Sequence, residues 1–76
     1  NDEEEFNRLM EKFRCRNLLI NRLNKTHNEN FYFGEDNVLF VNGKTIESLY
    51  WNLPKDEGEV DSYFKIISDK FTSKFE

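Results

Sequence analysis

The chain reads as an α+β domain in the order N-terminal helix, three-stranded antiparallel meander, short helical turn and C-terminal helix, spanning residues 1–76 as one small globular unit. Three observations predict it. Apolar residues recur at helical spacing near both ends, short aromatic and β-branched runs lie between, and Asn42-Gly43 joins two of those runs as a tight reversal.

From Asp2 to about Asn24, Phe6, Leu9, Met10, Phe13, Ile20 and Leu23 follow three- and four-residue steps and share one side of a helix. Asp2, Glu3, Glu4 and Glu5 crowd its first turn, where carboxylates meet free N–H groups and the positive dipole end. Leu18 and Leu19 leave the stripe and Asn17 sits on it, so the helix is expected to break or change its packing face near Arg16.

After the polar segment 24–30, Phe31-Tyr32-Phe33 reads as a strand ended by Gly34-Glu35-Asp36-Asn37, and Val38-Leu39-Phe40-Val41 as the next. Asn-Gly tolerates positive φ at both central positions of a type I′ turn, so the chain is expected to fold back antiparallel, with a third strand over Thr45 to Glu47. Between Ile46 and Leu53 the apolar positions fit a helical face through Ile46, Leu49, Tyr50 and Leu53, and a strand through Leu49, Trp51 and Leu53. The helical turn is the expectation, and Pro54 ends it. Asp56 followed by Glu59 has the spacing of a capping box, and Val60, Tyr63, Phe64, Ile67, Phe71 and Phe75 form the apolar stripe of the second helix. Packing both helices on one sheet face is expected to bury all three apolar surfaces.

Composition narrows the function classes. Twelve aromatic residues among 76, eight of them Phe, argue for a packed core despite a charged fraction of 34%. A single cysteine, Cys15, excludes an intrachain disulfide, and the lone His27, placed in an exposed loop, makes no zinc-ligand spacing with it. No apolar run approaches the roughly 18 residues of a membrane span, so no membrane insertion is expected. The chain opens on Asn1 without Met, which reads as a trimmed start, and the cytoplasm of its own or a host cell is the favoured location. Absence of Ala and Gln beside ten Asn suggests an A/T-rich genome, such as that of a phage, another virus or an A/T-rich microbe.

Catalysis needs a nucleophile with a base and charge-stabilising donors, and no such set converges here; no enzyme activity, cofactor or metal is expected. Gly43-Lys44-Thr45 lacks the earlier glycine of a phosphate-binding loop, and the acidic clusters lack calcium-loop spacing. Asn24-Lys25-Thr26 fits a glycosylation acceptor.

Charge is polarised: residues 6–27 carry a net +5 and residues 28–76 a net −5, with the opening acids bringing the chain to −4. The first expectation is a binding or inhibitory module that docks on a protein partner through an acidic and aromatic surface made by Glu35, Asp36, Glu47, Tyr50, Trp51, Asp56, Glu57, Glu59 and Asp61. The second is nucleic-acid binding by the first helix, where Arg8, Lys12 and Arg16 make a ridge at four-residue steps, with Arg14, Arg22 and Lys25 on another flank. An isoelectric point near 5.0 ranks it second. The order helix, three strands, helix is similar in outline to the double-stranded-RNA-binding fold, a likeness that implies a basic start to the second helix. Here that start is Asp56-Glu57-Gly58-Glu59, and the chain is not assigned to that family. Oligomeric state stays open, with the interrupted stripe of the first helix as a dimer face.

Overall fold

Four carboxylates open helix α1, which runs unbroken from Asp2 to His27. The computed structural model describes residues 2–35, 38–50 and 54–75, of which 44–50 are described by backbone alone. At 1.5 Å per residue α1 is about 39 Å long. Its end is chemically specified. Asn28 adopts the left-handed region, φ 54°, and the Glu29 N–H donates back to the Asn24 carbonyl at 3.3 Å, the pattern of a Schellman cap. The Asn24 side chain grips the next element: its Nδ2 donates to the Phe31 carbonyl at 3.2 Å and its Oδ1 accepts from the Phe31 N–H. Asn24 is therefore part of the corner between helix and sheet.

Strand β1, Phe31–Phe33, turns Phe31 and Phe33 inward and leaves Tyr32 outside, as alternation requires. It pairs antiparallel with β2, Val38–Val41, in the register Phe31 to Val41 and Phe33 to Leu39, so that Leu39 and Val41 join the same inner face. On the outer face the Tyr32 and Phe40 rings stack, with centroids 5.3 Å apart and planes 8° from parallel. Asn42 and Gly43 both have positive φ, 53° and 79°, and reverse the chain into β3, Lys44–Tyr50. The sheet order is β1-β2-β3.

Strand β3 corrects the helical turn expected from Ile46 onward. Val41 faces Lys44 and Phe40 faces Thr45, yet Val38 faces Tyr50, so the register slips between Val38 and Phe40. Surplus residues on β3 are taken up as an irregularity of the strand rather than a helix. Pairing with β2 supplies hydrogen-bond partners that one isolated helical turn lacks, and this overrides the helical spacing. Residues 51–53 of that interval lie outside the described residues.

Helix α2, Glu57–Phe75, starts with a reciprocal cap: Asp56 Oδ1 accepts from the Glu59 N–H at 2.9 Å, and Glu59 Oε1 accepts from the Lys55 N–H at 2.8 Å. Val60, Ile67 and Phe71 are buried, with Tyr63, Phe64 and Phe75 packed around them. Contacts between the helices advance in step. Arg14 Nη2 donates to Glu57 Oε1 at 3.2 Å, Arg22 Nη1 to Asp61 Oδ1 at 3.1 Å, and His27 Nε2 is hydrogen-bonded to Ser68 Oγ at 2.8 Å. The helices thus run parallel but staggered, α2 beginning level with Arg14.

That stagger overturns the expected burial of the whole α1 stripe. The fully buried residues of α1 are Cys15, Leu19 and Leu23, which meet Phe31, Phe33, Leu39, Val41, Val60, Ile67 and Phe71 in one cluster. Ile20 is half-buried, whereas Phe6, Leu9, Met10 and Phe13 are exposed. The helix does not break near Arg16; its buried face begins at Cys15, and the apolar row before it is exposed. His27 is not in a loop: it ends α1, half-buried, with its ring centroid 5.0 Å from that of Phe71 and 5.9 Å from that of Phe31. If the core lies where these contacts put it, Leu19→Ala loses about 2–5 kcal/mol of unfolding free energy, while Phe6→Ala stays within about 0.5 kcal/mol. Urea titrations of the two variants check this, and equal losses would contradict the assignment.

Candidate binding surface

Four of the acids expected to form a docking patch are engaged locally. Asp56 and Glu59 cap α2, Glu57 pairs with Arg14 at 3.2 Å, and Asp61 bridges Arg22 at 3.1 Å and Lys65 at 3.2 Å. Glu35 is exposed. Asp36 and Trp51 lie outside the described residues, as do the side chains of Glu47 and Tyr50. Among the described residues, Asp56, Glu57, Glu59 and Asp61 gather at the start of α2. Lys65 and then Arg22 hold the Asp61 carboxyl below its ordinary range, and hydrogen bonds from Arg14 and then Cys15 do the same for Glu11.

The basic ridge divides likewise. Arg16 leans on the sheet, its guanidinium 5.2 Å from the centroid of the Phe33 ring and its Nη2 donating to the Phe33 carbonyl at 3.4 Å. Arg22 lies over Phe64 at 4.0 Å while pairing with Asp61, and Arg14 is shared between Glu11 and Glu57. Such cations act as covers for apolar rings as much as charges. Arg8, Lys12 and Lys55 line a shallow depression with Glu11. Lys25 is exposed in the last turn of α1, where a cation favours the dipole.

The thiol of Cys15 is enclosed in the core and donates to Glu11 Oε1 at 3.4 Å; burial, and then the neighbouring Glu11, raise its pKa. This is the environment of an inert packing residue rather than a nucleophile. The Asn24 amide of Asn24-Lys25-Thr26 is hydrogen-bonded to both backbone polar groups of Phe31. Among the described residues no group of three or more His, Cys, Asp or Glu could hold a metal ion, and no helix is long and apolar enough to cross a membrane.

The feature that stands out was read from the sequence as core. Phe6, Leu9, Met10 and Phe13 are 60%, 48%, 52% and 40% exposed, contiguous on the half of α1 that extends past the start of α2. At about 100° per residue their mean direction lies about 130° around the helix from that of Cys15, Leu19 and Leu23. Scattered exposed apolar residues are ordinary; four at steps of three, one and three on one helix face make a patch. The available signal was the departure of Leu19 from the stripe, which showed that α1 has two apolar faces with only one sheet to cover them. Leu18, 41% exposed, lies outside this patch.

The depressed Asp61 carboxyl sets a pH dependence. A folded pKa below the unfolded one adds stability that is present above the unfolded carboxylate range and lost as pH falls through the folded value. Asp61→Asn is therefore expected to lower the urea midpoint at pH 7 and to converge on wild type only as pH falls through the lowered folded value of the carboxyl. A difference that stayed constant across that range would show that the Arg22 and Lys65 pairs do not matter.

Comparison with known proteins adds no relative: no family model matches the chain, and no curated protein and no solved structure matches it.

Proposed function

We propose that this chain is a small non-catalytic binding or inhibitory module whose partner is a protein. The observation that carries the proposal is the solvent-facing row Phe6, Leu9, Met10 and Phe13 on α1. Large aromatic and Met side chains are the residue types that concentrate binding energy at protein interfaces, and an amphipathic helix laid in an apolar groove uses this spacing. The acids Glu35, Asp36, Glu47, Asp56, Glu57, Glu59 and Asp61 take the role of selecting partners by charge, with Tyr50 and Trp51 as aromatic anchors. Supporting this ranking, Asp56, Glu57, Glu59 and Asp61 already have intramolecular partners, while the α1 row is open to solvent.

A second reading, nucleic-acid binding through Arg8 and Lys12, is favoured by their shared depression with Lys55. Against it, Arg14 and Arg22 are held by acids and Arg16 by Phe33. The two are separated by one comparison. Immobilised wild-type chain is expected to retain a protein ligand that Leu9→Glu loses by at least about tenfold, since a buried charge at an interface centre costs more than 1.4 kcal/mol. If Leu9→Glu retains the same ligands and an Arg8→Ala/Lys12→Ala variant loses a salt-sensitive RNA or DNA ligand instead, the second reading replaces the first.

A further inference from the structure

Resting on the reading of that α1 face as a docking surface, we propose that its occupant is a second copy of this chain, with the two α1 helices antiparallel across a twofold axis. The argument is one of charge, register and area. A pairing centred between Leu9 and Met10 sets residue i of one copy against residue 19 − i of the other, so Phe6 meets Phe13 and Leu9 meets Met10. The apolar row is its own complement under that operation, as a twofold interface requires. On one flank of the row stand Glu3 and Arg14, and on the other Glu5 and Arg16. In an antiparallel pair each flank meets the same flank of its mate, so Glu3 comes within one helical turn of Arg14 and Glu5 within one turn of Arg16, in addition to the contacts Arg14 makes with Glu57 and Arg16 with Phe33 in its own copy. A parallel pair would set the acidic first turn beside itself and the arginines beside theirs. Electrostatics therefore selects orientation as well as partner.

The geometry leaves room. The α1 residues before Arg14 extend beyond the start of α2, and the molecule measures 45 × 22 × 17 Å, so antiparallel overlap of residues 2–17 places the two bodies at opposite ends. With about 200 Å² for each large side chain, the four exposed fractions leave roughly 400 Å² of apolar surface per copy, roughly 800 Å² for the pair. The charged and Asn residues flanking the row add to this, and the total stays short of an obligate dimer. The association is accordingly reversible and concentration-dependent.

Sedimentation velocity of the full chain over a concentration series tests this. Wild type is expected to shift from monomer to dimer. Leu9→Glu should remain monomeric over the same series, with an unchanged urea midpoint showing that the fold is intact. Glu3→Lys/Glu5→Lys should associate at least about tenfold more weakly at low salt and approach wild type at high salt, because surface charge is screened. A wild type that is monomeric throughout, a Leu9→Glu dimer, or a Glu3→Lys/Glu5→Lys variant that associates as wild type does would each overturn the proposal. A monomeric wild type that still retains a foreign protein through Leu9 refutes self-association but leaves the docking face standing. A monomer that retains nothing refutes both.

Discussion

The level at which α2 meets α1 governs the rest of this molecule. Cys15, Leu19 and Leu23 are the part of α1 that lies alongside both α2 and the sheet, and every buried side chain described belongs to the cluster around them or to Pro54 beside it. Strands β1 and β2, of three and four residues, are only about 10–13 Å long, and these two strands cannot cover a helix of about 39 Å. Burial is therefore local to the C-terminal half of α1. The cations that bound this core, Arg16 over Phe33 and Arg22 over Phe64, seal ring faces that a larger domain would cover with apolar residues.

Features whose cause is local were legible in the sequence. Asn42-Gly43 forms the turn because its conformation is set by those two residues, and the cap of α2 follows from Asp56 and Glu59 alone. The Val60, Ile67 and Phe71 stripe was equally plain, because α2 presents one apolar face to one core. Features whose cause is tertiary were not. Ile46 to Tyr50 carries both periodicities, and only pairing against β2 decides between them. Phe6 to Phe13 has the spacing of a core face, and nothing local states that α2 begins level with Arg14.

The same distinction runs through the candidate site. Acidic first turns are visible in any sequence, but whether they attract a partner depends on which cations reach them. Arg14 reaches Glu57 from 43 residues away and Arg22 reaches Asp61 from 39, distances over which sequence pattern carries no signal. His27 was misplaced for a related reason: its polar neighbours suggested a loop, while Phe31, Phe64 and Phe71 arrive from two other elements to enclose it. Polarity along the chain is thus a partial guide to the surface, because Glu57 and Asp61 are paired with arginines of α1.

Asn24, which grips both backbone polar groups of Phe31, bears on the order in which the chain can assemble. That corner closes over seven residues, whereas the Arg14–Glu57 contact closes over 43. Loop-closure entropy alone separates the two by about 1.5 kcal/mol. The end of α1 and the hairpin of β1 and β2 can therefore meet before α2 arrives, forming a platform of Leu23, Phe31 and Val41 on which Phe71 later lands. Long-range registration of the helices is the slow, entropically dear step of this topology, and it is also the step that fixes how much of α1 is left outside.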